Sequence, residues 1–336
     1  MRSRVIQSGT PFPPQGAEEH VTVVELTSRP PARRRWPSLP SLPSHRRKEF
    51  AMRSVVTRHP VVVFVVLAYA ISWCLLPFGT FLPFGPLVAA VLVTALADGW
   101  GGLRRLGGRL LRWRVSWVWY AAAVALPLGA QAIALVGSAA TGGPSPALLA
   151  WSPWYSYLLV AAVRLVNPVE PALGEEPAWR GFAQPRLQAT RSPLRAVGIL
   201  CLVVTGWHLP LYFIPQFGLR PFEMVSTAAC TVVFGWLFNR SGGSVLIPLL
   251  SHVVEGTVRI SDLMSIDADI VRAKLWYAGA WAGIAVALLL FDRRSWITAP
   301  ASARDQTPDA DVRPPTQHSP LAGLSTDRTR HEHARG

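Results

Sequence analysis

The chain has 336 residues and a formal net charge of +14, half of its residues are hydrophobic, and only 15% are charged. The apolar residues gather in long continuous runs, whereas a water-soluble domain of this length would show amphipathic periods, so that class of protein is excluded. Because the arginines lie between the apolar runs, we interpret the positive charge as control of membrane topology and expect no nucleic acid as a partner.

The two ends of the chain differ in composition from the rest. Residues 1–52 are rich in Pro, Ser and Arg and lack the apolar core of a signal peptide, which predicts a disordered basic tail. Met52 stands immediately before the first apolar run and is an alternative to Met1 as the translation start. Residues 295–336 are polar and predict a second disordered tail. We therefore expect the membrane domain to comprise residues 53–294.

Eight apolar segments predict an all-α fold, a polytopic transmembrane helical bundle. The fourth segment is too long for one straight span, and Pro168, Pro171 and Pro177 interrupt it, so we expect a broken helix near Asn167. The segments are residues 55–76, 81–97, 116–138, 154–189, 194–214, 222–239, 244–260 and 275–291.

The charge of the loops alternates along the chain. The loops after segments two, four and six, and the residues after segment eight, are rich in arginine, whereas residues 77–80 and 139–153 have no charge. The positive-inside rule then places both termini in the cytoplasm, and an even number of spans satisfies every loop. We expect a multi-pass protein of the cell membrane with about eight spans. The arginines that decide this orientation are Arg104, Arg105, Arg109, Arg112, Arg114, Arg186, Arg191, Arg195, Arg240, Arg293 and Arg294.

Ionisable residues inside membrane segments are costly, so they are functional candidates. Glu175, His208 and His252 stand 11, 13 and 12 residues from the nearest arginine of a predicted cytoplasmic loop. At 1.5 Å per residue, these separations are about 17–20 Å along a helix. Three different segments therefore bring a carboxylate and two imidazoles to a similar depth.

The spacing also indicates roles for these side chains. Glu176 and Arg180 are four residues apart and can pair on one helix face as supporting residues, while Glu175 points about 100° away, towards a neighbouring helix. A carboxylate in an apolar site suits general-base chemistry, and histidines beside it can hold a water molecule or donate to an oxyanion. Glu175, His208 and His252 could alternatively bind zinc, although the chain has no His-Glu-x-x-His motif.

At these residues the chain resembles the CPBP family of intramembrane proteases, which process CAAX proteins and bacteriocins and are also called the Abi family. The family's first motif, Glu-Glu-x-x-x-Arg, matches Glu175, Glu176 and Arg180. The resemblance covers about residues 60–291 and is most specific across residues 174–256.

The second and third motifs match in part. The second, Phe-x-x-x-His, ends at His208 but has Val204 in place of Phe. The third, His-x-x-x-Asn, begins at His252 but has Gly256 in place of Asn. A glycine cannot supply the missing side-chain amide, and the neighbouring Glu255 is not equivalent to it.

The resemblance implies an intramembrane endopeptidase that cleaves a membrane-embedded or membrane-associated peptide, with the lipid bilayer as its surroundings. It implies that Glu175 and His208 activate water and that His252 stabilises the oxyanion. The family was long described as metalloproteases, but its glutamate-type mechanism requires no metal, so no cofactor is expected. The alternatives are a zinc-dependent protease with Glu175, His208 and His252 as ligands, a non-catalytic membrane immunity or scaffold protein, and a transporter.

Overall fold

The computed structural model describes residues 53–144, 153–258, 260 and 267–298. Most of the two tails predicted from the sequence, residues 1–52 and 299–336, therefore lies outside the described residues. Within the described residues all regular secondary structure is helical, which confirms the predicted all-α class.

The α-helices are numbered here in chain order. They are α1 Pro60–Trp73, α2 Gly85–Leu110, α3 Trp117–Ala140, α4 Tyr155–Val166, α5 Pro171–Glu176, α6 Gln184–Gln188, α7 Pro193–Trp207, α8 Leu209–Phe213, α9 Met224–Arg240, α10 Leu246–Thr257, α11 Asp267–Phe291 and α12 Arg293–Ile297. A π-helix, Pro177–Ala183, connects α5 to α6. Short 3-10 turns lie at Leu76–Phe78, Pro215–Phe217 and Pro221–Glu223.

Five helical segments within the described residues are long and apolar enough to cross a membrane. They are Pro60–Phe78, Gly85–Leu110, Trp117–Ala140, Pro221–Arg240 and Asp267–Phe291. The predicted fifth span contains the shorter apolar helix α7 of 15 residues, and the seventh contains α10 of 12 residues. At 1.5 Å per residue these reach about 22 and 18 Å, less than a hydrocarbon core of about 30 Å. The count of eight spans remains a prediction.

The fourth predicted segment is broken, as its prolines indicate. Helix α4 ends at Val166, Asn167 has an extended backbone, and α5 begins only at Pro171. The side-chain oxygen of Asn167 accepts a hydrogen bond from the Val169 N–H at 3.1 Å, which stabilises the turn between the two helices.

The segment after the second predicted span is helical, although the sequence analysis predicts a loop there. Helix α2 continues to Leu110 and bends at Gly99, whose φ of 62° lies in the left-handed region that favours glycine. The part beyond the bend carries Leu103, Leu106 and Leu110 at intervals of three and four residues. This spacing produces one apolar helix face, on which Leu106 is buried, while Arg104 and Arg105 are exposed. Arg109 is the exception, because its side chain is buried as well.

The arginine-rich connections meet at one end of the helices. Arg112 donates a hydrogen bond to the carbonyl of Gly242 at 2.7 Å, and Ser244 donates to the carbonyl of Arg112 at 2.7 Å. The pair between Arg186 and Asp98 joins the end of α6 to α2. The basic loops predicted to share one side of the membrane are thus neighbours in space. Their assignment to the cytoplasm remains the prediction of the positive-inside rule.

The core surrounds the π-helix. Residues 177–183 are all buried, and α2, α7 and α9 pack against them. The ring of Trp179 lies 5.2 Å from Phe64 of α1 and 5.9 Å from Trp207 of α7, both in edge-to-face geometry. This packing places the two glutamates at the end of α5 in the centre of the bundle.

Candidate active site

A cavity of about 440 Å³ lies beside the π-helix. Glu175, His208 and His252 all contribute to its wall, from the end of α5, the residue after α7, and α10. Glu176 and Arg180 line the same cavity. The structure therefore brings together all five residues that the sequence analysis singles out.

Glu176 is the centre of a buried polar network. Its side chain is fully buried, and its Oε1 atom accepts hydrogen bonds from Nη1 of Arg180 at 2.9 Å and from Nδ1 of His252 at 2.9 Å. The ion pair that the four-residue spacing predicts is present, and the bond to His252 is an addition that the sequence did not indicate. A buried carboxylate requires such partners because it has lost its hydration.

The π-helix explains how this network forms next to a proline. Pro177 has no N–H to donate, so the α-helical hydrogen-bond ladder is interrupted one residue after Glu176. The chain responds by widening, and the N–H of Gln184 bonds to the carbonyl of Trp179, five residues earlier. The widened turn carries Arg180, whose guanidinium donates a hydrogen bond back to the Glu176 carboxylate.

The imidazole of His252 is held in place on two sides. Its Nδ1 atom bonds to Glu176, and its ring lies 5.5 Å from the ring of Phe234. The guanidinium of Arg180 lies 5.3 Å from the same ring, so Phe234 packs against both partners of Glu176. With Nδ1 occupied, Nε2 is the nitrogen of His252 that remains for a ligand.

His208 is oriented by the backbone of the preceding turn. Its Nδ1 atom lies 2.8 Å from the carbonyl oxygen of Val204. A carbonyl can only accept, so Nδ1 carries the hydrogen and Nε2 of the neutral imidazole carries the lone pair. Helix α7 ends at Trp207, and Pro210 lies in the first turn of the next helix. The helix is therefore interrupted at His208.

Glu175 is 3% exposed and lies on the cavity wall. Its neighbour Glu176 makes the ion pairs described above, so the two adjacent carboxylates differ in their surroundings. A buried carboxylate beside a cavity, with a histidine lone pair on the same wall, can take a proton from a water molecule between them.

Gly256 stands where the third motif of the family has Asn, and Arg164 occupies the adjacent space. Nη1 of Arg164 donates to the Gly256 carbonyl at 2.9 Å, and a Cβ atom at position 256 would lie 2.5 Å from the same nitrogen. Arg164 also pairs with Glu170 at 3.2 Å. Any side chain at position 256 would therefore displace the guanidinium.

The cavity wall also contains Glu255, which the sequence analysis considered only in place of the third-motif Asn, and Tyr277, which it missed. Glu255 and Tyr277 both line the cavity, and the Tyr277 hydroxyl donates to Oε1 of Glu255 at 2.8 Å. The three-residue spacing between His252 and Glu255 puts both on one face of α10 and is the sequence signal that they share a cavity wall. Tyr277 had no such signal, because α11 joins the site only through packing.

The zinc alternative requires three converging ligands. In the part of the chain that the structure describes, no three His, Cys, Asp or Glu side chains come together as a metal site. His252 and His208 each direct Nδ1 to another partner, Glu176 and the Val204 carbonyl, which leaves Nε2 of both rings for a ligand. The absence of a required metal remains a prediction of the sequence analysis.

We compared the chain with models of known protein families and with curated proteins. Residues 146–257 match the family model described as type II CAAX prenyl endopeptidase Rce1-like. No curated protein matches the chain. The matched residues contain all three motifs and most of the cavity wall, and the match confirms the resemblance predicted from the sequence. Over residues 146–257, the chain is therefore similar to the Rce1-like type of the CPBP family of membrane proteases.

Proposed function

We propose that this chain is a glutamate-type intramembrane endopeptidase that cleaves a membrane-embedded or membrane-associated peptide. The observation that carries the proposal is the meeting of Glu175, His208 and His252 on the wall of one cavity. The buried Glu176–Arg180 pair supports this arrangement, since it anchors His252 and leaves Glu175 to face the cavity.

In this proposal, Glu175 and His208 activate a water molecule. Glu175 takes one proton from the water as the water oxygen attacks the peptide carbonyl. The other O–H of that water donates a hydrogen bond to Nε2 of His208, which orients the water, and stays on the oxygen in the tetrahedral intermediate. The proton then passes from Glu175 to the leaving amine as the C–N bond breaks. The hydrogen bond between His208 and the Val204 carbonyl supports this role, because it holds the required tautomer.

His252 is proposed to stabilise the oxyanion of the tetrahedral intermediate. Its Nδ1 hydrogen is already donated to Glu176, so a second donor at Nε2 requires the doubly protonated imidazolium. The buried carboxylate of Glu176 would be the counterion of that charged form. A cationic donor aimed at the developing negative charge is the arrangement that lowers the barrier to acyl transfer.

The cavity wall supports an apolar peptide as substrate. Besides the polar residues, it is formed largely by aromatic and aliphatic side chains, among them Phe81, Trp207, Leu211, Phe217 and Leu219. Because the matched family model is described as a prenyl endopeptidase, a prenylated C-terminal peptide is one candidate within this class. An apolar transmembrane peptide is the other.

The test is cleavage by purified protein in proteoliposomes, with farnesylated CAAX peptides and a transmembrane peptide library as separate substrates. We expect cleavage by the wild type and loss of it in Glu175→Gln, which preserves the size of the side chain. Glu170→Gln is the matched control, since Glu170 pairs with Arg164 outside this cavity. Equal cleavage by the wild type and Glu175→Gln would contradict the proposal.

One observation favours a second function, a non-catalytic membrane immunity or scaffold protein that retains the fold. Arg164 fills the space next to Gly256, so the amide of the third motif is absent and its position is occupied. A cellular phenotype that survives Glu175→Gln and His208→Ala at equal protein level would support this alternative. Loss of the phenotype in both variants would support the protease.

A further inference from the structure

A second cavity, of about 410 Å³, lies at the end of the helices where the basic loops meet. It is bounded by the start of α1, the part of α2 beyond Gly99 and the end of α6. Its wall contains five arginines and one acidic residue, Asp98, which leaves an excess of four positive charges when His59 is neutral. The arginines are Arg58, Arg105, Arg109, Arg186 and Arg191.

Of the five arginines of this basic cavity, Arg109 is buried and bonds to the Gly181 carbonyl, and the other four differ in their partners. Arg186 pairs with Asp98 and lies 3.8 Å from the ring of Phe182, so its charge has a partner. Arg58, Arg105 and Arg191 are exposed, and in the residues that the structure describes no salt bridge joins any of these three to a carboxylate. Three guanidinium groups around one cavity, without a salt bridge among the described residues, can together bind a multivalent anion.

The other wall of the basic cavity is apolar. Val61 and Val62, in the first turn of α1, contribute to it, as does Leu106 of α2. Val62 is 61% exposed on a helix that is apolar enough to cross a membrane, so this wall continues into the surface that faces lipid. The cavity therefore has a cationic part next to an apolar part at the end of the bundle.

We infer that the basic cavity binds the phosphate group of an anionic phospholipid from the adjacent leaflet. The guanidinium groups match the phosphate oxygens, which accept paired N–H donors, and the valines match the start of an acyl chain. Free phosphate can bind the guanidinium groups in the same way, but it has no acyl chain to contact the valines. This site lies apart from the proposed active site, and its ligand does not depend on the proposed peptidase activity.

The basic cavity also touches the segment that carries the active-site residues. Arg109 donates to the Gly181 carbonyl at 2.8 Å, and Arg186 donates to the Phe182 carbonyl at 3.1 Å. Both carbonyls belong to the π-helix that follows Glu176. A lipid phosphate bound between the arginines would reduce their mutual repulsion and thereby stabilise these contacts, so binding should raise the melting temperature of the protein.

The experiment is native mass spectrometry and thermal unfolding of the purified full chain, titrated with phosphatidylglycerol, phosphatidylcholine or inorganic phosphate. We expect selective retention of phosphatidylglycerol and a higher melting temperature in its presence. At about 1 kcal/mol per arginine near a charged membrane surface, each removal should weaken binding roughly fivefold. The triple variant Arg58→Ala, Arg105→Ala, Arg191→Ala should then bind about 100-fold more weakly.

Arg104→Ala is the matched control, because Arg104 is exposed, neighbours Arg105 on the same helix and is not part of the cavity wall. It should bind phosphatidylglycerol like the wild type, and unchanged helicity of the triple variant should show that it is folded. Equal binding of phosphatidylglycerol and phosphatidylcholine, or equal phosphatidylglycerol binding by the triple variant and the wild type, would overturn the proposal. If inorganic phosphate saturates the site and no phospholipid is retained, the proposal that a phospholipid is the ligand is wrong.

Discussion

The Nδ1 atom of His252 lies 2.9 Å from Oε1 of Glu176, a contact between residues 76 positions apart in the chain. The same oxygen accepts from Arg180, so one buried carboxylate joins the first and third sequence motifs. This contact makes Glu176 the residue on which the geometry of the site depends, while Glu175 faces the cavity.

Glu176→Gln should lower both stability and activity. The substitution removes the charge between Arg180 and His252 and leaves a buried guanidinium without its counterion, which costs about 3–5 kcal/mol. The measurement is the melting temperature in detergent together with the cleavage rate. Glu170→Gln, in the half-buried pair with Arg164, should change the melting temperature much less. Equal melting temperatures for both variants would contradict the role of Glu176.

Arg180→Ala should reduce the amount of folded protein in the membrane, because it removes the guanidinium that neutralises the fully buried Glu176 carboxylate and leaves the bond from His252 to hold that carboxylate. Arg180→Lys should rescue only partly, since lysine lacks the planar guanidinium group. Glu175→Gln should abolish cleavage and leave the melting temperature almost unchanged. A large loss of stability in Glu175→Gln with none in Arg180→Ala would reverse the roles assigned to these residues.

Gly256→Asn should destabilise the protein by about 1–3 kcal/mol, because the new Cβ atom, 2.5 Å from Nη1 of Arg164, would move the guanidinium and break its hydrogen bond to the Gly256 carbonyl. In an Arg164→Ala background the space is free, so the same substitution should cost less. Melting temperatures of the two single variants and the double variant form a double-mutant cycle that measures this coupling. If the losses of stability in the two single variants add up to the loss in the double variant, Arg164 does not occupy the space of a side chain at position 256.

The orientation predicted from the loops can be tested by cysteine labelling in a variant lacking the three native cysteines. Trp113→Cys and Arg294→Cys should react only from the cytoplasmic side, and Thr141→Cys only from the opposite side, since arginine-rich loops remain inside. Trp113 and Thr141 are exposed in the structure, so access should not limit the reaction. Labelling of position 113 from outside the cell would contradict both the orientation and the depth argument.

Purified protein should contain no stoichiometric zinc. Glu175, His208 and His252 line one cavity without converging as a ligand set, and a zinc site would need distances near 2 Å to each. Elemental analysis after purification without chelators is the measurement. One zinc per chain, lost in His252→Ala, would instead support the zinc-dependent protease.

The sequence by itself determined the features that depend on neighbouring residues. Long apolar runs need their backbone hydrogen bonds satisfied within each segment, so the described residues are helical. The prolines predicted the break near Asn167, and the four-residue spacing predicted the pair between Glu176 and Arg180. The continuation of α2 to Leu110 was missed because its arginines obscured the apolar face of Leu103 and Leu106.

Only the tertiary structure decided which distant residues meet. The bond from His252 to Glu176, the position of Arg164 against Gly256 and the basic cavity all join different helices. Such contacts depend on how each helix is rotated and which face it presents to its neighbours. Local periodicity does not specify that rotation, because in a helix apolar on every face many rotations bury similar apolar area, and the choice among them depends on close packing of side chains across the bundle.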